Sequence, residues 1–167
     1  LKGSGAYAKR QFETASGKLK FSIKLYSTDS KDMKIILGKD NVSAAEVDIK
    51  DGKISCGSAA TDFKSNIWNK ITLELDPTTD KAKLYVNYRE VEGNISYTAD
   101  SINQITVSSN GGTMLTDDYL LEAINPLPED YVPEIEKADS DGYYIGMQFC
   151  PMWEEGSHSG WDFENSV

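Results

Sequence analysis

Few residues of this chain are placed by type and spacing to do chemistry. Glu154 and Glu155 are neighbouring carboxylates, with His158 and Asp162 close behind. Two carboxylates cleave a glycosidic bond when they flank it at ~5–9.5 Å with separated pKa values. Adjacent side chains of an extended chain point to opposite sides, so Glu154 and Glu155 do not make such a pair by themselves. Asp117 and Asp118 offer hard oxygen donors of the kind a calcium ion takes, but too few for its coordination shell. Tyr88 and Arg89 put an aromatic ring beside a guanidinium, a combination able to stack on the apolar face of a sugar. Other chemistries are missing. There is no Gly-x-Ser-x-Gly elbow, no phosphate-loop lysine motif and no cysteine spaced to work with His158. Cys56 and Cys150 read as two free thiols or one disulfide, and with one histidine they cannot build a zinc site.

The elements that must position these residues are strands. Leu19, Phe21, Ile23 and Leu25 alternate with Lys18, Lys20, Ser22, Lys24 and Tyr26, which predicts one apolar and one wet face. Val47 and Ile49 lead into Asp51-Gly52, a strong hairpin signal, and Ile54 follows. Ile71, Leu73 and Leu75 alternate likewise, end in the turn chemistry of Asp76-Pro77-Thr78-Thr79-Asp80, and return through Ala82, Leu84 and Val86. Ile105 and Val107 mark another strand, and residues 119–124 a last one, stopped by Asn125-Pro126. The facing of Lys34-Ile35-Ile36-Leu37 and of Leu120-Leu121 is ambiguous. No segment before residue 125 holds a helical stripe. About eight to eleven short strands with regular turn signals predict an all-β, antiparallel sandwich or barrel. Trp68, opening a strand, is expected to pack in the core. Tyr26, Tyr85 and Tyr97 are expected as cross-strand pairs on a wet sheet or as the lining of a concave one.

Composition changes after residue 124. Pro126, Pro128 and Pro133 are three of the five prolines in the chain, and they predict an extended linker over residues 125–142. Residues 143–152 then read as a new strand, and residues 153–167 have no periodicity. The chain of 167 residues carries a net charge of −10, which excludes a nucleic-acid backbone or an anionic membrane surface as partner. Glu129, Asp130, Glu134, Glu136, Asp139 and Asp141 against Lys137 put half of that excess in the linker. No apolar run reaches the ~20 residues of a membrane span. Leu1 reads as a processed start or an artificially set one, and residues 1–5 as a linker or a fusion scar. Asn41-Val42-Ser43 and Asn94-Ile95-Ser96 match the glycosylation triplet, which has meaning only in a eukaryotic secretory context.

One string carries a family resemblance. Asn66-Ile67-Trp68-Asn69-Lys70-Ile71-Thr72-Leu73-Glu74-Leu75-Asp76, a turn, and Lys83-Leu84-Tyr85-Val86-Asn87 resemble the concanavalin A-like, laminin G-like jelly-roll superfamily. Asp51-Gly52 before Lys53-Ile54 and the late Thr116-Asp117-Asp118-Tyr119-Leu120-Leu121-Glu122 fit the same pattern. The resemblance spans roughly residues 5–124 and implies a lectin-like sandwich, with a calcium ion at Asp117 and Asp118 as in many members. The family's hairpin tip is Asn-Gly, whereas here Asn87 precedes Tyr88 and Arg89. A bulky residue disfavours a tight primed turn, so the loop is expected to run on to Gly93, with Tyr88 and Arg89 exposed together on its tip.

A second segment, Tyr144-Ile145-Gly146-Met147-Gln148-Phe149-Cys150-Pro151-Met152-Trp153 continuing through His158 and Trp161, is similar to the first strand and loop of the (β/α) barrel of endo-α-mannosidase-like enzymes. It implies that Trp153, His158 and Trp161 belong to a sugar subsite of a barrel whose catalytic carboxylates lie beyond Val167. The expected organisation is a sandwich over residues 1–124, a linker over 125–142 and the start of a barrel over 143–167. The expected function is a non-catalytic, carbohydrate-binding module of a secreted or cell-surface bacterial protein. Its partners would be a glycan and a downstream catalytic domain. The front of a glycoside hydrolase and a protein–protein adhesion module are the alternatives.

Overall fold

The computed structural model describes residues 1–2, 5–29 and 31–125. The expectations for residues 126–167, including Trp153, His158 and Trp161, lie outside the described residues.

Eleven strands and no helix make up the described residues: β1 (Ala6–Ser16), β2 (Leu19–Ser27), β3 (Met33–Lys39), β4 (Val42–Lys50), β5 (Lys53–Cys56), β6 (Ala59–Asp62), β7 (Trp68–Asp76), β8 (Lys81–Val86), β9 (Arg89–Ser96), β10 (Ser101–Ser109) and β11 (Met114–Ala123). They form a six-stranded sheet ordered β1-β10-β3-β4-β5-β6 and a five-stranded sheet ordered β11-β2-β7-β8-β9, with every pairing antiparallel. This is the sandwich that the alternation predicts.

The alternating apolar sets face each other across the two sheets. Leu19, Phe21, Ile23 and Leu25 of β2 and Ile71, Leu73 and Leu75 of β7 are buried against Ile35, Leu37, Val47, Ile49 and Ile54 of the opposite sheet. Each such side chain contributes ~1.5–3 kcal/mol on burial. Ile35 and Leu37 point inward while Lys34 and Ile36 do not, which settles the ambiguity in β3. Cys56 is a free, buried thiol in the same core, and burial pushes its pKa up to about 11.

Tight turns set the register. Asp40-Asn41, Asp51-Gly52 and Asn87-Tyr88 each have positive φ at both residues and join directly paired strands. This is the primed geometry whose twist matches that of the flanking strands. The third turn corrects the expected long loop, since β9 begins at Arg89 immediately after the two-residue tip.

One side of the sandwich is drawn shut where β9 passes β6. The Ser58 N–H donates to the Asn94 carbonyl at 3.0 Å, and the Asn94 N–H donates to Ser58 Oγ at 2.7 Å. A Cβ on Gly93 would lie 2.3 Å from the backbone of Ala59, so this approach requires glycine.

Candidate functional site

The outer face of the five-stranded sheet follows from strand parity. With Ile71, Leu73 and Leu75 of β7 in the core, Trp68, Lys70, Thr72, Glu74 and Asp76 point the other way. On β2 the same rule turns Lys20, Ser22, Lys24 and Tyr26 outward. Register then places Leu115, Tyr26 and Trp68 in one row across β11, β2 and β7, and Asp117, Lys24 and Lys70 in the next.

The first row is an aromatic platform. The rings of Tyr26 and Trp68 have centroids 5.7 Å apart and are tilted by 50°, an ordinary favourable aromatic pair. Trp68 is 45% exposed and Leu115 48%. Trp68 is therefore not a core residue, contrary to its expected packing. Its neighbour Asn69 fills the inward place, donating through Nδ2 to the carbonyls of Lys64 at 2.8 Å and Ile67 at 3.2 Å.

Tyr88 extends this platform. Asn87 anchors the turn: its N–H donates to the Lys70 carbonyl and its Oδ1 accepts the Lys70 N–H, each at 2.8 Å. Tyr88 follows at φ 68° and is 80% exposed. The Lys70 ammonium lies 4.8 Å from the centre of its ring, within cation–π range. Tyr26, Trp68, Lys70 and Tyr88 thus share one end of one face. The resulting surface offers aromatic stacking and a cationic hydrogen-bond donor.

Arg89 does not join Tyr88 there. It pairs with the inward-facing Val86 and lines a separate groove of about 530 Å³ with Asp62, Lys64 and Glu92, on the side where β6 meets β9. The expected Tyr88–Arg89 tip is therefore split between two surfaces, as successive residues of a strand entry must be.

Asp117 and Asp118 stand at an irregularity in β11, with Asp118 at φ 51°. Asp118 forms an ion pair with Lys24, whose pKa it raises, and its N–H donates to Asp117 Oδ1 at 2.8 Å. Among the described residues no group of three or more His, Cys, Asp or Glu gathers to hold a metal. Two carboxylates, one already facing an ammonium, do not fit the six to eight oxygens of a calcium shell.

The other tyrosines divide. Tyr85 faces outward and its hydroxyl donates to Glu74 at 3.2 Å; burial and the neighbouring carboxylates push its pKa up to about 12. Tyr97 is a core residue whose hydroxyl has no hydrogen-bond partner among the described residues. At the far end of the same sheet a groove of about 660 Å³ is lined by Lys18, Glu74, Asp76, Lys83 and Glu90. Most of its charges are paired, Lys18 with Asp76 and Lys83 with Glu90. Lys81 also lines it, and none of the described residues lining it is aromatic.

The comparisons with known proteins bear on the fold. No family model matches the sequence, and the search of curated proteins returns no match. Solved structures do match. A sialidase is similar with a TM-score of 0.58 at 14% identity, over 72% of this chain and 14% of that one. CG-16, a homodimeric agglutinin from chicken liver, matches with a TM-score of 0.52 at 11% identity, over 70% of this chain and all of that one. Domains LG4-5 of the mouse laminin alpha1 chain match with a TM-score of 0.51 at 16% identity, over 71% and 39%. The described residues therefore have the jelly-roll sandwich fold of lectin-like proteins. The chain spans about one seventh of the length of the sialidase. Among the described residues no helix is long and apolar enough to cross a membrane.

Proposed function

We propose that this sandwich is a non-catalytic carbohydrate-binding module and that its site is the Tyr26–Trp68–Tyr88 platform with Lys70. The observation that carries the proposal is the exposed Trp68 indole, tilted against Tyr26 on a rigid sheet. A pyranose ring presents a face of C–H groups that stacks on such a surface, while hydroxyls take hydrogen bonds from a nearby donor. Tyr88 and Lys70, fixed through the Asn87 turn, border the same surface. The likeness in fold to an agglutinin supports the reading. A secreted or cell-surface location of a bacterial protein is the setting in which such a module works.

A second reading places the module beside a catalytic domain of a glycan enzyme. The likeness to one portion of a sialidase favours it, and it is compatible with the first. A glycan array probed with the full chain tests the proposal. Retention on at least one glycan class is expected. A folded chain that binds no glycan overturns it and leaves the apolar row of Leu115, Tyr26 and Trp68 as a surface for a protein partner.

A further inference from the structure

The lysines of the five-stranded sheet are not equivalent. Lys18 pairs with Asp76, Lys20 with Glu74, Lys24 with Asp118 and Lys83 with Glu90. Lys70 and Lys81 have no carboxylate partner in an ion pair among the described residues. Lys81 stands at the far end of β8, in register with Asp76 and Ser96, whereas Lys70 borders the platform. The Lys70 ammonium is held over the Tyr88 ring, and the residue opposite it on β2 is another cation, Lys24. Like charges directly opposed in a sheet are unfavourable, and Asp118 relieves the charge of Lys24 alone. The carboxylates of β11 stand two strands away from β7, about 10 Å, with Lys24 between. The overall acidity does not oppose an anion here. Residues 1–125 contain sixteen Lys and Arg against seventeen Asp and Glu.

The position of this charge relative to the platform is specific. Lys70 lies two residues along β7 from Trp68 on the same face, a rise of about 7 Å. A sugar ring stacked on Trp68 therefore brings a substituent at its rim to the Lys70 ammonium.

We infer, resting on the carbohydrate-binding reading above, that the platform selects acidic glycans, with the carboxylate of a hexuronate received by Lys70. The aromatic rings supply stacking for the sugar, and the Lys70 ammonium supplies the preference for a carboxylate over a hydroxymethyl group. A charge-assisted hydrogen bond of this kind is worth roughly tenfold in affinity.

The test uses matched polymers: polygalacturonate, hyaluronan and alginate, each beside its carboxyl-reduced form, in affinity electrophoresis with the full chain. The wild-type chain is expected to bind at least one native polymer roughly tenfold more tightly than its reduced form, with the difference shrinking at high salt. Lys70→Gln is expected to bind both forms alike, and Lys70→Arg to keep the preference. Equal binding of native and reduced polymers by the wild type overturns the acidic preference and leaves the carbohydrate-binding reading standing. A preference that survives in Lys70→Gln overturns the role of Lys70. Binding to none of the polymers, by a chain that does bind neutral glycans on an array, overturns the inference alone. Binding to no glycan at all overturns it together with the reading on which it rests.

Discussion

Lys70 and Tyr88 meet across a hairpin tip, with the ammonium 4.8 Å from the ring centre and the tyrosine backbone at φ 68°. A non-glycine residue in this left-handed conformation costs about 1–2 kcal/mol, and the cation–π contact returns about 0.5–1 kcal/mol. The tip is thus less stable than it would be with glycine. Tyr88→Gly is expected to raise stability by about 0.5–1 kcal/mol, read from urea unfolding midpoints, while weakening glycan binding. A variant that loses stability would show that Tyr88 is a structural contact and not a binding one.

The closure between β6 and β9 gives a second expectation. Gly93→Ala places a methyl group 2.3 Å from Ala59 backbone atoms, and backbone cannot yield as a flexible side chain does. A loss of about 3 kcal/mol or more is expected in urea unfolding. A loss below 1 kcal/mol would mean that β9 departs from β6 at little cost.

Strand parity explains how much of this was legible in the sequence. The alternation of Ile71, Leu73 and Leu75 finds β7, and the same parity, carried back three residues, turns Trp68 outward. The habit of tryptophan to pack in cores hides this, because residue type and position in the pleat point opposite ways. Asp51-Gly52 predicts its hairpin because glycine tolerates positive φ, whereas Asn87-Tyr88 makes the same turn against the preference of Tyr88. β1 leaves little trace, since an edge strand with most side chains exposed has no apolar alternation to show. β9 is hidden by the register shift around Gly93, which breaks the period of two. Lys70 has no signal of its own. Its importance comes from the lack of a carboxylate across the sheet, and only register reveals that.

Acid titration provides a third expectation. The Lys18 ammonium, 2.8 Å from Asp76, holds that carboxyl down to about 2 from an ordinary 3.8, and the Thr78 hydroxyl adds to the effect. A depressed folded pKa contributes stability that is present above the unfolded pKa near 3.8 and is lost as pH falls through it towards 2. Asp76→Asn is therefore expected to show a shallower fall in stability between pH 4 and pH 2 than the wild type. Identical slopes would mean that the Lys18 pair does not persist in solution.

The buried thiol provides a fourth. Cys56 is 4% exposed, with its pKa pushed up to about 11 by burial, and the thiolate is the reactive form. In a Cys150→Ser background the folded chain is expected to resist an aromatic disulfide reagent at pH 8 and to react once unfolded in urea. Rapid labelling of the folded chain would place Cys56 outside a closed core.

The carbohydrate-binding account depends most on Trp68, and calorimetric titration of one array-selected glycan into the wild-type chain and Trp68→Ala tests it most directly. Because Trp68 is half exposed and lies outside the core, the variant is expected to keep its fold, with an unfolding midpoint close to that of the wild type. Its affinity is expected to fall roughly fivefold or more, since stacking of a ring on an aromatic side chain is worth about 1–3 kcal/mol in the case of nucleic-acid bases. Unchanged affinity in a folded Trp68→Ala chain would contradict the account and move the site away from this face of the sandwich.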